Sequence, residues 1–112
     1  MMQNGDYLKI DRRGKMSYFT VLGDVDHHSA KKIKQLIDSE IFIAHPETVC
    51  MDLSKVEFMD SSGLGLILGR YQTATELGID FKIVSPTARV MKILRLAGCE
   101  RILEIVRKNE AN

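Results

Sequence analysis

The sequence predicts a single α/β domain, in which a mixed β-sheet opens with a hairpin and carries helices packed on it. Three observations lead there. Apolar residues recur alternately at strand-like and helical spacing, in the order β-β-α-β-α-β-α-β. The first two strand-like runs are separated by Arg12-Arg13-Gly14-Lys15, a turn whose glycine supplies a positive φ. The chain has 112 residues, of which 45% are hydrophobic and 28% charged, enough for one core and ordinary for a globular protein. Residues 1–112 therefore form one unit, with an ordered core expected over 6–106.

The opening strands are expected at 7–11 and 16–22. A helix follows over 27–43, where Ala30, Ile33, Ile37, Ile41 and Ala44 make one apolar stripe and Lys31, Lys32, Lys34 and Asp38 fall largely off it. Asp26 stands where an N-cap accepts free backbone N–H groups. His45-Pro46-Glu47 breaks the helix, and 48–53 reads as a central buried strand. A second helix over 62–77 places Leu64, Ile67, Leu68, Tyr71 and Thr75 on one face. Leu66 lies off that face, either packed beneath a neighbouring element or exposed as an anchor for a partner. Gly78 is a natural stop, and 80–84 is a strand. Ser85 as N-cap and Pro86 at the first helical position start a third helix, with Val90, Ile93, Leu94 and Ala97 as its stripe and Gly98 as its end. A short strand over 102–106, which also admits a helical reading, precedes a polar tail from Lys108. Right-handed crossovers make the later strands parallel.

Composition narrows the function. A formal net charge of +1 announces neither a nucleic-acid nor a membrane partner. No apolar run reaches the length of a membrane span, and the first residues lack the regions of a signal peptide, so the cytoplasm is expected. Cys50 and Cys99 read as buried or unreactive thiols in a reducing compartment. Asp26-His27-His28 is the obvious ligand cluster, but adjacent histidines diverge on a helix, so no metal is expected.

The stretch from Met51 to Gly65 carries the chemistry. A buried strand leads through an apolar loop to Asp60-Ser61-Ser62-Gly63-Leu64-Gly65, a polar, glycine-rich helix entrance. The first turn of a helix has unsatisfied N–H donors and the positive end of the dipole, which suit a phosphate. Gly63 and Gly65 remove bulk where a partner or phosphate would approach. Asp-Ser-Ser before an apolar helix is also an ordinary cap, and close helix–sheet packing explains the glycines equally well. The residues alone leave both readings open.

Enzyme patterns are absent. Neither the Gly-x-Ser-x-Gly elbow of serine hydrolases nor a phosphate-binding loop ending in Gly-Lys and Ser or Thr is present. Asp60 as an aspartyl-phosphate acceptor would need a paired acidic cluster for Mg²⁺, and the early strands end in Gly23 and Asp24 instead.

Asp60-Ser61-Ser62-Gly63-Leu64-Gly65, preceded by Asp52-Leu53-Ser54 and Phe58-Met59, closely resembles the signature of anti-sigma factor antagonists with a STAS domain. Gly23-Asp24-Val25-Asp26-His27-His28 resembles a segment of the sporulation branch, and Leu66-Ile67-Leu68-Gly69-Arg70-Tyr71 matches the continuation of the signature helix. The similarity runs from the first hairpin to Val106. Relatives often continue into a further C-terminal helix, whereas little apolar material follows Val106 here.

The resemblance implies a regulatory protein without catalytic residues or cofactor. Unphosphorylated, it binds an anti-sigma factor that is also an ATP-dependent serine kinase, and the sigma factor is released. The kinase phosphorylates the first serine after the Asp, here Ser61, and binding is turned off until a serine phosphatase restores it. Asp26, Asp60, Ser61, Ser62, Gly63, Leu64, Gly65 and Leu66 are then the residues that meet the partner or kinase. Other readings are a STAS subunit of a stress-signalling complex or transporter, and a nucleotide-binding enzyme.

Overall fold

The computed structural model describes residues 2–110. Six strands form one sheet in sequence order: β1 (Met2–Asn4), β2 (Leu8–Arg13), β3 (Met16–Val21), β4 (Thr48–Asp52), β5 (Asp80–Val84) and β6 (Glu104–Val106). The pairs β1–β2 and β2–β3 are antiparallel, and β3 to β6 run parallel throughout. Helices α1 (His27–Ala44), α2 (Ser61–Glu76) and α3 (Ala88–Leu96) make the three crossovers between parallel neighbours. The mixed sheet, opening hairpin and parallel later strands are those expected from the alternation of periods. Edge strand β1 is an addition, for three residues are too few to register as a pattern.

Alternation along the strands divides the sheet into two faces. Phe19, Val21, Val49, Met51, Phe81 and Ile83 face the helices and join Ile33, Ile37 and Ile41 of α1, Ile67 and Ala74 of α2, and Val90 and Leu94 of α3 in the main core. The other face holds a smaller cluster of Tyr18, Cys50 and Val84. There the Tyr18 hydroxyl donates to Asp52 at 2.6 Å, and the Arg13 guanidinium lies 4.1 Å from the centre of the Tyr18 ring. Both cysteines are free and buried, and desolvation pushes the Cys50 thiol up to about 11.

The helices correct three expectations, two at their ends and one of face. Helix α2 begins one residue early, at Ser61, with Asp60 as its N-cap. Helix α3 begins at Ala88, and its cap is Thr87 rather than Ser85. Ser85 sits in the left-handed region at φ 47°, and its hydroxyl accepts the Lys108 N–H at 2.8 Å instead of capping a helix. The Thr87 hydroxyl accepts from Val90 N–H at 3.3 Å and donates to the Val56 carbonyl at 2.8 Å. Third, the inward face of α2 is rotated from the expected stripe. Gly63, Leu66, Ile67, Arg70 and Ala74 are buried, Leu64, Leu68 and Tyr71 flank the core, and Thr75 is exposed. The stripe misleads because α2 packs on α1 as well as on the sheet. A buried arginine and small residues at that second contact leave no apolar signal.

Gly63 is fixed by packing. A Cβ there would lie 2.7 Å from the Met59 Cβ, which is backbone-anchored and cannot swing away. At Gly65 and Gly69 a Cβ would meet nothing within 4 Å. Gly63→Ala is therefore expected to destabilise the fold by about 1–3 kcal/mol through overpacking. Gly69→Ala should stabilise it by about 0.5–1 kcal/mol through helix propensity. Urea unfolding midpoints check both; shifts of the same sign would contradict the packing argument.

Candidate functional site

The chain between β4 and α2 is held from four sides before it delivers Ser61. At the exit of β4 the Asp52 carboxylate accepts the Ser54 N–H at 2.9 Å, and Leu53 N–H donates to the Val84 carbonyl at 3.0 Å. Thr87 holds the Val56 carbonyl from α3. Asp24, exposed in the β3–α1 connection, accepts both Glu57 N–H at 3.1 Å and Phe58 N–H at 2.9 Å on one carboxylate oxygen. Val25 and Met59 then pair as a parallel bridge, with Val25 N–H donating to the Phe58 carbonyl at 3.1 Å and Asp60 N–H to the Val25 carbonyl at 3.2 Å. Val25 and Met59 are buried, so this junction is anchored in the core.

The bridge sets two helix entrances side by side. At α1, Asp26 and Ser29 form a capping box: Ser29 N–H donates to the Asp26 carboxylate at 2.9 Å, and Asp26 N–H to the Ser29 hydroxyl at 3.0 Å. At α2, the Asp60 carboxylate accepts Ser62 N–H at 2.8 Å, and its carbonyl accepts Gly63 N–H at 3.0 Å and Leu64 N–H at 3.4 Å. The first-turn donors, expected to be open to a phosphate, are thus largely occupied by Asp60. The positive end of the dipole remains, but a phosphate on Ser61 would share it with a carboxylate.

Ser61 is exposed at the first position of α2, and its hydroxyl has no hydrogen-bond partner among the described residues. Among the described residues no imidazole or carboxylate is hydrogen-bonded to it, as the base of an activated nucleophile would be. Its geometry is that of an accessible acceptor. Ser62 is half-buried and turns towards a groove between α1 and α2.

Of the expected contact residues, Asp26, Asp60, Ser61, Ser62 and Gly65 come together on the accessible surface at or beside the two entrances. Leu64 is half-buried against the core. Gly63 is buried beneath Met59, and Leu66 is 7% exposed in the core, so neither is an exposed anchor. Two residues belong to this surface that sequence reasoning passed over. Asp24 clamps the loop through contacts more than thirty positions away in sequence, which no local pattern records. Phe58 stands 52% exposed beside Asp60, although it reads as part of an apolar loop. Asp24, Asp26, Glu57 and Asp60 lie on the same two connections, so this surface is rich in acids and carries one exposed aromatic. His27 and His28 are exposed at the start of α1, as expected.

Comparison with known proteins follows the same lines. The STAS domain family matches residues 7–111. The chain is 33% identical over 90 residues to an anti-sigma F factor antagonist of Paenibacillus polymyxa, covering 80% of this chain and 76% of that protein. It superposes on the anti-sigma factor antagonist SpoIIAA in its unphosphorylated form with a TM-score of 0.80 at 25% identity, over 93% of this chain and 91% of that one. With the phosphorylated form of the Bacillus cell fate determinant SpoIIAA the TM-score is 0.74 at 24% identity, over 93% and 95%, a likeness of fold.

Two outcomes test the site's construction. Asp24→Ala removes the acceptor of two amide groups, a loss of about 1 kcal/mol at an exposed position. Hydrogen exchange at Glu57 and Phe58 should then quicken roughly fivefold while α3 is unchanged; unaltered exchange at both amides would rule out the clamp. The Asp26 carboxyl is held below its ordinary value, chiefly by the hydrogen bond from the Ser29 backbone and against desolvation. Because its folded value is depressed, its contribution to α1 is present above the unfolded value and is lost as pH falls through the folded one. An NMR pH titration should show Asp26 protonating together with loosening of the Ser29 amide.

Proposed function

The chain belongs to the STAS-domain family of anti-sigma factor antagonists, and from that premise we propose that it is a phosphorylation-switched antagonist of the sporulation type. Unphosphorylated, it binds an anti-sigma factor that is also a serine kinase, and the sigma factor is freed. Phosphoryl transfer from ATP to the Ser61 hydroxyl ends the binding, and a serine phosphatase reverses it. The cycle runs in the cytoplasm, where transcription factors are found. Among the described residues no helix is long and apolar enough to cross a membrane.

The observation that carries this reading is the exposed Ser61 hydroxyl at the entrance of α2, without a hydrogen-bond partner among the described residues, where the Val25–Met59 bridge sets Asp26 next to Asp60. It is supported by the F-type name of the Paenibacillus relative and by the existence of SpoIIAA in unphosphorylated and phosphorylated forms. The switch acts through charge. A phosphoryl group adds about −1.5 to −2 charges at pH 7, here onto a surface already bearing Asp24, Asp26, Glu57 and Asp60. A partner matched to the neutral hydroxyl meets a dianion, and a tenfold loss of affinity needs only about 1.4 kcal/mol.

Incubation with the anti-sigma factor and ATP should add one phosphoryl group, placed on Ser61 by tandem mass spectrometry and abolished in Ser61→Ala. Modification of Ser62 or Ser54 instead would refute the assignment. Ser61→Asp should keep the fold and weaken anti-sigma factor binding about tenfold in calorimetric titration; undiminished affinity would count against a charge-based switch.

A further inference from the structure

From the helix entrances at His27 and Ser62, the seam between α1 and α2 opens into a groove of about 370 Å³. Ala30, Gly65, Leu66 and Gly69 form its apolar part, and Lys31, Lys34 and Arg70 its charged part. Gly65 and Gly69 stand one helical turn apart in the body of α2, where glycine weakens a helix relative to alanine. A Cβ at either would touch nothing within 4 Å, so the fold does not require them. What they provide is the space itself.

The charges are unbalanced. Lys34 donates to Asp38 at 3.0 Å, and Arg70 reaches the same carboxylate at 3.2 Å. One carboxylate therefore serves two cations, and Lys31 has no ion pair among the described residues. Arg70 is buried, its side chain only 6% exposed, and its Nε–H has no hydrogen-bond acceptor. Asp38 Oδ1 beside it is likewise without a hydrogen bond, so the pair is imperfectly matched, and Arg70 adds a charged lining to the groove that favours an anion. A bare phosphate would gain the charges but leave the apolar part uncovered. A peptide that presents a carboxylate beside small apolar groups satisfies both.

We propose that this groove receives an acidic segment of the anti-sigma factor, as a contact area of opposite charge that continues from the Ser61 surface at Ser62 and Gly65. The proposal rests on the function given above for the identity of the partner. The two areas differ in sign: the entrances present Asp26 and Asp60, while about one to three turns further along the seam lie Lys31, Lys34 and Arg70. A partner that matches both must present basic groups to the first and acidic groups to the second, which fixes its orientation along the seam.

The test uses the ¹⁵N-labelled full chain with two probes, a synthetic peptide of alternating alanine and glutamate and sodium phosphate, and then the anti-sigma factor itself. The peptide is expected to shift backbone resonances of residues 30–34 and 62–70, and phosphate at equal concentration to leave them in place. Lys31→Glu and Gly69→Leu should each weaken binding of peptide and anti-sigma factor about tenfold, with a thermal midpoint for Gly69→Leu showing the fold retained. Resonances unmoved by the peptide, equal shifts with phosphate, or anti-sigma factor binding by both variants within twofold of wild type would overturn the proposal. A chain that takes the peptide in the groove but does not bind the anti-sigma factor would sink the proposed function while upholding the groove's ligand chemistry.

Discussion

Two backbone hydrogen bonds, Val25 N–H to the Phe58 carbonyl and Asp60 N–H to the Val25 carbonyl, hold this surface together. They are the bonds of a parallel bridge formed beyond the ends of β3 and β4, where the chain has left the sheet proper. The bridge places Asp26 and Asp60, caps of two different helices, next to one another, and it points Ser61 outward. Because Val25 and Met59 are buried, the junction is tied to the core and does not drift as a surface loop would. Met59 in turn dictates Gly63, since no larger residue fits against its Cβ. Core packing, loop path and exposure of the serine are thus one constraint seen at three levels.

The three glycines of α2 separate into two kinds on this basis. Gly63 is demanded by the fold, because the first turn of the helix lies directly on Met59. Gly65 and Gly69 are not, and both lower the intrinsic stability of the helix. A fold that tolerates such weakening without a packing reason is giving up stability for surface shape. Arg70 shows the same tension in another form, being buried with one N–H unmet although it pairs with Asp38. Local rules are broken on the α1-facing side of α2, and it is on that side that the surface is open.

The elements were legible wherever one period dominated. Of the expected stripe of α1, Ala30, Ile33, Ile37 and Ile41 are buried and Ala44 at its end is half-buried, and Asp26 was readable as a cap because capping is local. The inward face of α2 was not readable, since it meets two surfaces at once and covers one of them with glycine and arginine. Ser85-Pro86 has the form of a helix start, yet the Ser85 hydroxyl is taken by Lys108, and the start moves to Thr87. The motif around Ser61 could be located from its residues, and Asp26 was associated with it only through family likeness. Asp24 and Phe58 were missed. The carboxylate of one loop ordering the amides of another is a tertiary fact, and whether Phe58 faces in or out depends on that order.

The same contacts explain why a switch at Ser61 would act on a partner and leave the fold alone. Its hydroxyl makes no internal hydrogen bond, so esterification at that oxygen breaks nothing within the described structure. The amides that would draw a phosphate down onto the helix are already bound to Asp60. To replace Asp60 as the cap, the phosphate would have to displace a carboxylate that satisfies the Ser62 amide within the same turn, while leaving that carboxylate as a near neighbour of like charge. The less costly arrangement keeps Asp60 in place and the phosphate outward, in water. The new charge then lies where a docking surface would meet it, among acids that are themselves fixed by caps and clamps. The acidic setting adds to the new charge, because the carboxylates of Asp24, Asp26 and Asp60 are held in place by the amides they accept. Asp24, Asp26 and Asp60 would therefore serve twice under the proposed switch: each fixes backbone at a loop or helix start, and together they would set the neutral serine apart from its phosphorylated form.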